Sequence, residues 1–127
     1  MSTHFILYVA DQARSTEFYR AILGAPRLNV PGMTEFDLQG GGVLGLMPEA
    51  GIRRLLGDAL PDPGLARGIP RAELYLTHPE AERLHSVALS AGARELSPML
   101  PRDWGDCAAY SLDPDGHVLV LAVRIPD

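Results

Sequence analysis

The chain repeats itself, and this restricts its fold more than any other feature. His4 to Val9 reads HFILYV, a β-rich stretch that alternates well enough to be a strand. Asp11 follows as a helix N-cap, with Arg14 three residues on. Phe18, Tyr19, Ile22 and Leu23 trace one apolar helix face, and Gly24 ends it. The second half runs the same course. Glu73 to Thr77, ELYLT, reads as a strand, and Pro79 suits a first helical turn. Leu84, Val87, Ala88 and Ala91 form the apolar face, and Gly92 stops it.

A hairpin closes each half. Glu35 to Leu38, the turn Gly40-Gly41-Gly42 and Val43 to Met47 make the first. Ala108 to Leu112, the turn Asp113-Pro114-Asp115-Gly116 and His117 to Val123 make the second. Asp-Gly and Gly-Gly pairs favour such turns because they accept positive φ. Short strands near Arg27 to Val30 and Arg94 to Leu96 complete the order βαβββ, twice. Between the copies, Pro48 to Pro70 is rich in proline and glycine and holds a short helix at Ile52 to Leu56. The expected organisation is one domain over 1–127, with modules 1–50 and 71–127 and a connector 51–70. The fold class is α+β. The two tandem βαβββ modules form a curved mixed sheet with helices on its outer face and a concave cup opposite.

At 127 residues there is room for one sizeable core. The net charge of −5 argues against nucleic acid as a partner. No apolar stretch approaches the roughly 18 residues of a membrane span. The first residues lack the basic and apolar regions of a signal peptide. The single cysteine, Cys107, excludes an internal disulfide, so the expected location is cytoplasmic. Cys107 itself reads as a small strand residue, since no His or Lys stands near it in sequence to activate a thiol. There is no Gly-x-Ser-x-Gly elbow, phosphate-cradling loop or dinucleotide fingerprint.

The order His4…Val9-x-Asp11…Phe18-Tyr19…Leu23-Gly24 resembles the opening of glyoxalase I and its relatives. Asp113-Pro114-Asp115-Gly116 before an apolar strand resembles their closing segment. Together these motifs resemble the vicinal oxygen chelate superfamily, which includes glyoxalases, extradiol dioxygenases, and fosfomycin- and bleomycin-resistance proteins. The resemblance implies paired βαβββ modules and a homodimer, but it does not fix an activity.

The resemblance also implies a divalent ion held by four inward side chains, two from the first strands and two from the last. Alternation turns Phe5, Leu7 and Val9 toward the helix, leaving His4, Ile6 and Tyr8 for the cup. In the second module, Glu73, Tyr75 and Thr77 face the cup. His4 and Glu73 are therefore the candidate metal ligands. In glyoxalase-like members the carboxylate ligand follows the turn glycine by four residues, which falls here on Leu46 (from Gly42) and Val120 (from Gly116). Neither can ligate a metal, and a catalytic ion usually needs at least three protein ligands. No cofactor is therefore expected, with a divalent metal as the alternative.

Without a metal, the cup reads as a mostly apolar pocket with a few polar anchors. The expected ligand-binding residues are Tyr8, Leu46, Tyr75, Val120, Trp104 and Arg102. Trp104-Gly105 lies in a rim loop and resembles antibiotic-binding members, where an aromatic ring stacks on a planar drug. Asp106 reads as a loop charge. Glu35 and Asp37 read as a solvated face, and His78 and His85 as surface residues. The functional expectation is a metal-independent binder of a small apolar or aromatic molecule, with antibiotic resistance as its role. The alternative is a divalent-metal, glyoxalase-like lyase or isomerase using His4 and Glu73.

Overall fold

Glycines at positive φ, among them Gly24, Gly41, Gly92 and Gly116, mark the chain's reversals in the computed structural model, which describes residues 2–127. Strand β1 (Thr3–Val9) leads into helix α1 (Gln12–Leu23). The Asp11 side chain accepts from the Arg14 N–H, as expected of the cap, and Gly24 leaves the helix at φ 85. Strands β2 (Leu28–Val30), β3 (Met33–Asp37) and β4 (Gly42–Pro48) complete a sheet ordered β1-β4-β3-β2. The returning strand β4 runs parallel to β1 and antiparallel to β3.

The second half reproduces this plan. Strand β5 (Glu73–Thr77), helix α3 (Ala81–Ser90) and strands β6 (Arg94–Pro101), β7 (Asp106–Leu112) and β8 (Val118–Arg124) give the sheet β5-β8-β7-β6. The fold is α+β, with two mixed four-stranded sheets of βαβββ order, as the repeat predicted. Helix α3 starts later than Pro79 suggested: Glu80 is its cap residue, and the Glu80 N–H donates to His78 Nδ1 at 3.0 Å. His78 thus closes the helix entry instead of standing free on the surface.

The chain divides into two compact units, one ending at Arg67 and the other spanning Gly68–Asp127. The connector falls mostly in the first, with 68–70 in the second. Its helix α2 (Glu49–Leu56) begins three residues before the expected Ile52. Ile52 is buried, Arg53 pairs with Asp62 at 3.1 Å, and Arg67 pairs with Glu49.

Each sheet buries its helix-side face. In the first unit Leu7, Val9, Phe36, Leu44 and Leu46 pack with Phe18, Tyr19 and Ile22 of α1. The Phe18 and Tyr19 rings meet edge to face with centroids 4.9 Å apart. In the second unit Leu119, Leu121 and Ala109 share the interior with Leu84 and Ala88. Each fully buried Leu or Phe contributes about 1.5–3 kcal/mol of hydrophobic stabilisation. Phe5 departs from the pattern. It pairs with Leu44 on the helix side, yet it lies toward the start of β1 and remains exposed.

The β7–β8 turn is held from within. Asp113 Oδ1 accepts from the N–H groups of Asp115 and His117, both at 2.9 Å. Gly116 has φ 87, and a Cβ there would stand 2.9 Å from Gly68 N, so glycine is required twice over.

Candidate functional site

The sheet face of the second unit that bears no helix gathers most of the expected ligand-binding residues. Strand alternation sends Leu119 and Leu121 to the helix side, so Val118, Val120 and Ala122 occupy the other. Tyr75 pairs with Val120, and Val120 with Tyr110, across β5, β8 and β7. Val120, Ala108 and Ala122 are fully buried, and Tyr75, Tyr110 and Val118 pack against them. The result is an apolar strip edged by two phenols.

Polar groups fix one end of that strip. The Tyr75 hydroxyl donates to Asp106 Oδ2 at 2.5 Å and accepts from Trp104 Nε1 at 2.9 Å. Burial, and then the bond to the Asp106 carboxylate, push the Tyr75 phenol above its ordinary pKa, while the indole donor opposes them. Asp106 is buried at 9% exposure, and its nearest cation is Arg124, whose Nη1 lies 3.9 Å from Oδ1. Asp106 is therefore a strand residue in a bonded cluster, not the solvated loop charge expected. Trp104 is 49% exposed. One edge of its ring is tied down, and much of its surface remains open.

Arg102 occupies the neighbouring irregularity. The register between β6 and β7 slips between Glu95 and Ser97 and again between Ser97 and Leu100. Such bulges leave backbone groups without ladder partners. Arg102 braces this stretch. Its Nε and Nη2 donate to the Ala108 carbonyl at 3.2 and 2.9 Å, and Nη2 also donates to Ser97 Oγ at 2.6 Å. The guanidinium carbon sits 5.2 Å from the Tyr110 ring centroid, a cation–π distance.

In the first unit, two expectations fail. Leu46 pairs with Leu7 and Thr34, which places it on the side facing α1, and it is fully buried there. It does not line the helix-free face. The residue equivalent to Val120 is Gly45, which pairs with Ile6 and Glu35. A Cβ at Gly45 would come within 2.9 Å of Ile6 Cγ1 and 3.2 Å of Met33 Sδ. Tyr8 pairs with Met47 on this face, away from Leu46. Glu35, expected on a solvated face, has a side chain only 13% exposed. Its Oε2 lies 3.2 Å from His4 Nδ1, and its Oε1 accepts from Arg27 at 3.0 Å.

A family-type metal does not fit the residues present. His4 has Nδ1 against Glu35 and Nε2 at 3.2 Å from Ser2 Oγ. Gly45 and Val120 offer no donor, and Glu73 is an exposed strand residue of the other unit. Among the described residues no three His, Cys, Asp or Glu side chains cluster to hold an ion.

His85 is a further correction. It is 5% exposed, against the interior flank of α3, and its Nε2 lies 2.8 Å from Glu95 Oε2. A recess of about 550 Å³, unforeseen from sequence, opens between the start of α1 and β2. Its central polar group, Gln12, is already spent: the amide donates to the Val30 carbonyl and Thr34 Oγ1 and accepts from the Gly32 N–H.

Residues 2–121 match the family model described as Glyoxalase/Bleomycin resistance protein/Dioxygenase superfamily. No curated protein matches the chain. Several solved structures are similar in fold. A glyoxalase-related enzyme from Fulvimarina pelagi has a TM-score of 0.81 at 23% identity, covering 98% of this chain and 88% of its own. A glyoxalase/bleomycin resistance protein/dioxygenase family enzyme from Burkholderia phytofirmans PsJN scores 0.80 at 18% identity, covering 97% and 98%. A glyoxalase/bleomycin resistance protein from Albidiferax ferrireducens T118 scores 0.71 at 18% identity, covering 96% and 97%.

Proposed function

Since the chain belongs to the glyoxalase/bleomycin resistance protein/dioxygenase superfamily, we propose that it is a metal-independent binder of a small apolar or aromatic molecule, held on the helix-free face of the second unit. One observation carries this reading. The Trp104 ring is half exposed, yet its Nε1 is anchored through Tyr75 to the buried Asp106 carboxylate. Pre-organised aromatic surface beside an apolar strip suits a planar ligand, because the ring's ordering cost is met on folding.

Tyr75, Trp104 and Arg102 are the ligand-contacting residues of this proposal, and Val120, fully buried beneath Tyr75 and Tyr110, supports them from below. Tyr8 is carried only by its place on the corresponding face of the first unit, and Leu46 is withdrawn. A cytoplasmic homodimer that sequesters an antibiotic is the cellular form of the same reading. The divalent-metal lyase or isomerase has no comparable support: its ligand His4 is bonded at both ring nitrogens.

Trp104 is the sole tryptophan, so its emission reports directly on the site. Titration with a panel of planar aromatic compounds is expected to quench or shift that emission saturably, and Trp104→Ala is expected to weaken binding about tenfold or more in calorimetry. If no compound in the panel binds the wild-type protein in calorimetry, the proposal is wrong.

A further inference from the structure

Resting on that binding reading, we infer that the ligand is an aromatic acid, with its ring on Trp104 and its carboxylate on Arg102. The inference starts from a charge that the fold holds in place and does not neutralise. Arg102 is half-buried and braced by Ala108 O, Ser97 Oγ and Pro98 O. Those bonds use Nε and Nη2. Nη1 donates to nothing among the described residues, and no carboxylate there lies within ion-pair distance of the guanidinium. The other face-bound charge, Asp106, does not serve as its partner: Tyr75 takes one oxygen, and its nearest cation is Arg124.

A half-buried cation without a counter-ion costs free energy that a bound anion offsets. Because the guanidinium is already fixed, little side-chain freedom is lost when it donates to a ligand. Trp104 stands two residues away in the same β6–β7 connection, closed by Arg102 N–H to Asp106 O at 2.8 Å. Ring and cation are thus presented by one short turn. With Nη1 alone free, the guanidinium suits a singly charged carboxylate better than a phosphate dianion, which usually draws several donors. The chain's net charge of −5 favours cationic ligands at long range, so a preference for an anion has to come from a local group.

The test uses three compounds that share one ring system: 1-naphthoate, 1-naphthamide and 1-naphthylmethylammonium. Each is titrated into the wild-type protein and into Arg102→Gln by calorimetry and Trp104 emission. The expected result is naphthoate binding about tenfold or more tighter than the amide, with the ammonium weakest. In Arg102→Gln the advantage of the carboxylate over the amide disappears. If that variant does not fold, the wild-type ranking still decides, together with its narrowing as salt rises. Equal or tighter binding of the amide or the ammonium by the wild-type protein overturns this inference and leaves the binding reading standing. A carboxylate advantage that survives in Arg102→Gln overturns the assignment to Arg102. If none of the three binds, the inference falls, and the binding reading falls with it only if the wider panel is also silent.

Discussion

The two units share a topology, yet their helix-free faces carry different contents. In the first, the central strand places Gly45 between Ile6 and Glu35, and the charged groups satisfy one another: Glu35 is held by both His4 and Arg27. In the second, the same position holds Val120 between Tyr75 and Tyr110, and the polar groups anchor an open aromatic ring. One face has spent its chemistry internally, while the other carries a half-exposed ring and a cation with no carboxylate beside it among the described residues. A repeated backbone thus fixes where side chains point, and single residues at equivalent places decide what each face does.

The sharpest way to break this comparison is to truncate the two residues that sequence counting treated as equivalent. Leu46→Ala removes a fully buried core side chain next to α1. It is expected to cost about 2–5 kcal/mol in denaturant unfolding and to leave ligand affinity in the folded protein unchanged. Val120→Ala deletes less, at about 2 kcal/mol, but is expected to alter ligand affinity. Equal effects on binding from both would erase the distinction between the faces.

Tyr75→Phe is the next largest. It strands the buried Asp106 oxygen and the Trp104 indole, and is expected to cost about 1–3 kcal/mol and to shift Trp104 emission. The same phenol gives a pH signature. Its pKa is raised in the folded state above the ordinary 10.0. The unfolded chain therefore loses this proton first, so the stabilisation is complete below about pH 10 and falls as pH climbs through the folded value. Thermal unfolding from pH 8 to 11 is expected to show a loss in wild type that is smaller in Tyr75→Phe. The smallest effect is expected from Glu35→Gln, at about 1 kcal/mol or less and diminishing in salt, because its partners His4 and Arg27 are partly exposed.

The repeat, the Asp11 and Gly24 caps of α1 and both hairpins were legible because glycine and aspartate mark turns by their own conformational preferences. Leu46 was misplaced for a definite reason. The counting started from Gly42, but Gly41 has φ 93 and matches Gly116, while Gly42 already belongs to β4. Counting from Gly41 reaches Gly45. Strand β6 runs to Pro101, past the expected end at Leu96, and it accommodates Pro98 and Pro101 because an edge strand tolerates proline where no partner needs its N–H. Alternation put Tyr75 and Val120 on one face, where the strand pairing also has them, while Trp104 and Arg102 were singled out only by the short segment they share. Asp106 as their anchor was not legible, because its bond to Tyr75 joins residues 31 positions apart. Glu35 and His85 were taken as surface for the same reason: their partners come from other elements.

The most direct measurement is a titration of ¹⁵N-labelled protein with 1-naphthoate, followed at the single indole Nε1–H resonance of Trp104. The account predicts that this resonance moves saturably, together with the amides of Tyr75 and Val120 and the Arg102 side-chain signal. An unmoved indole at saturation, with shifts confined to the recess between α1 and β2, would contradict it.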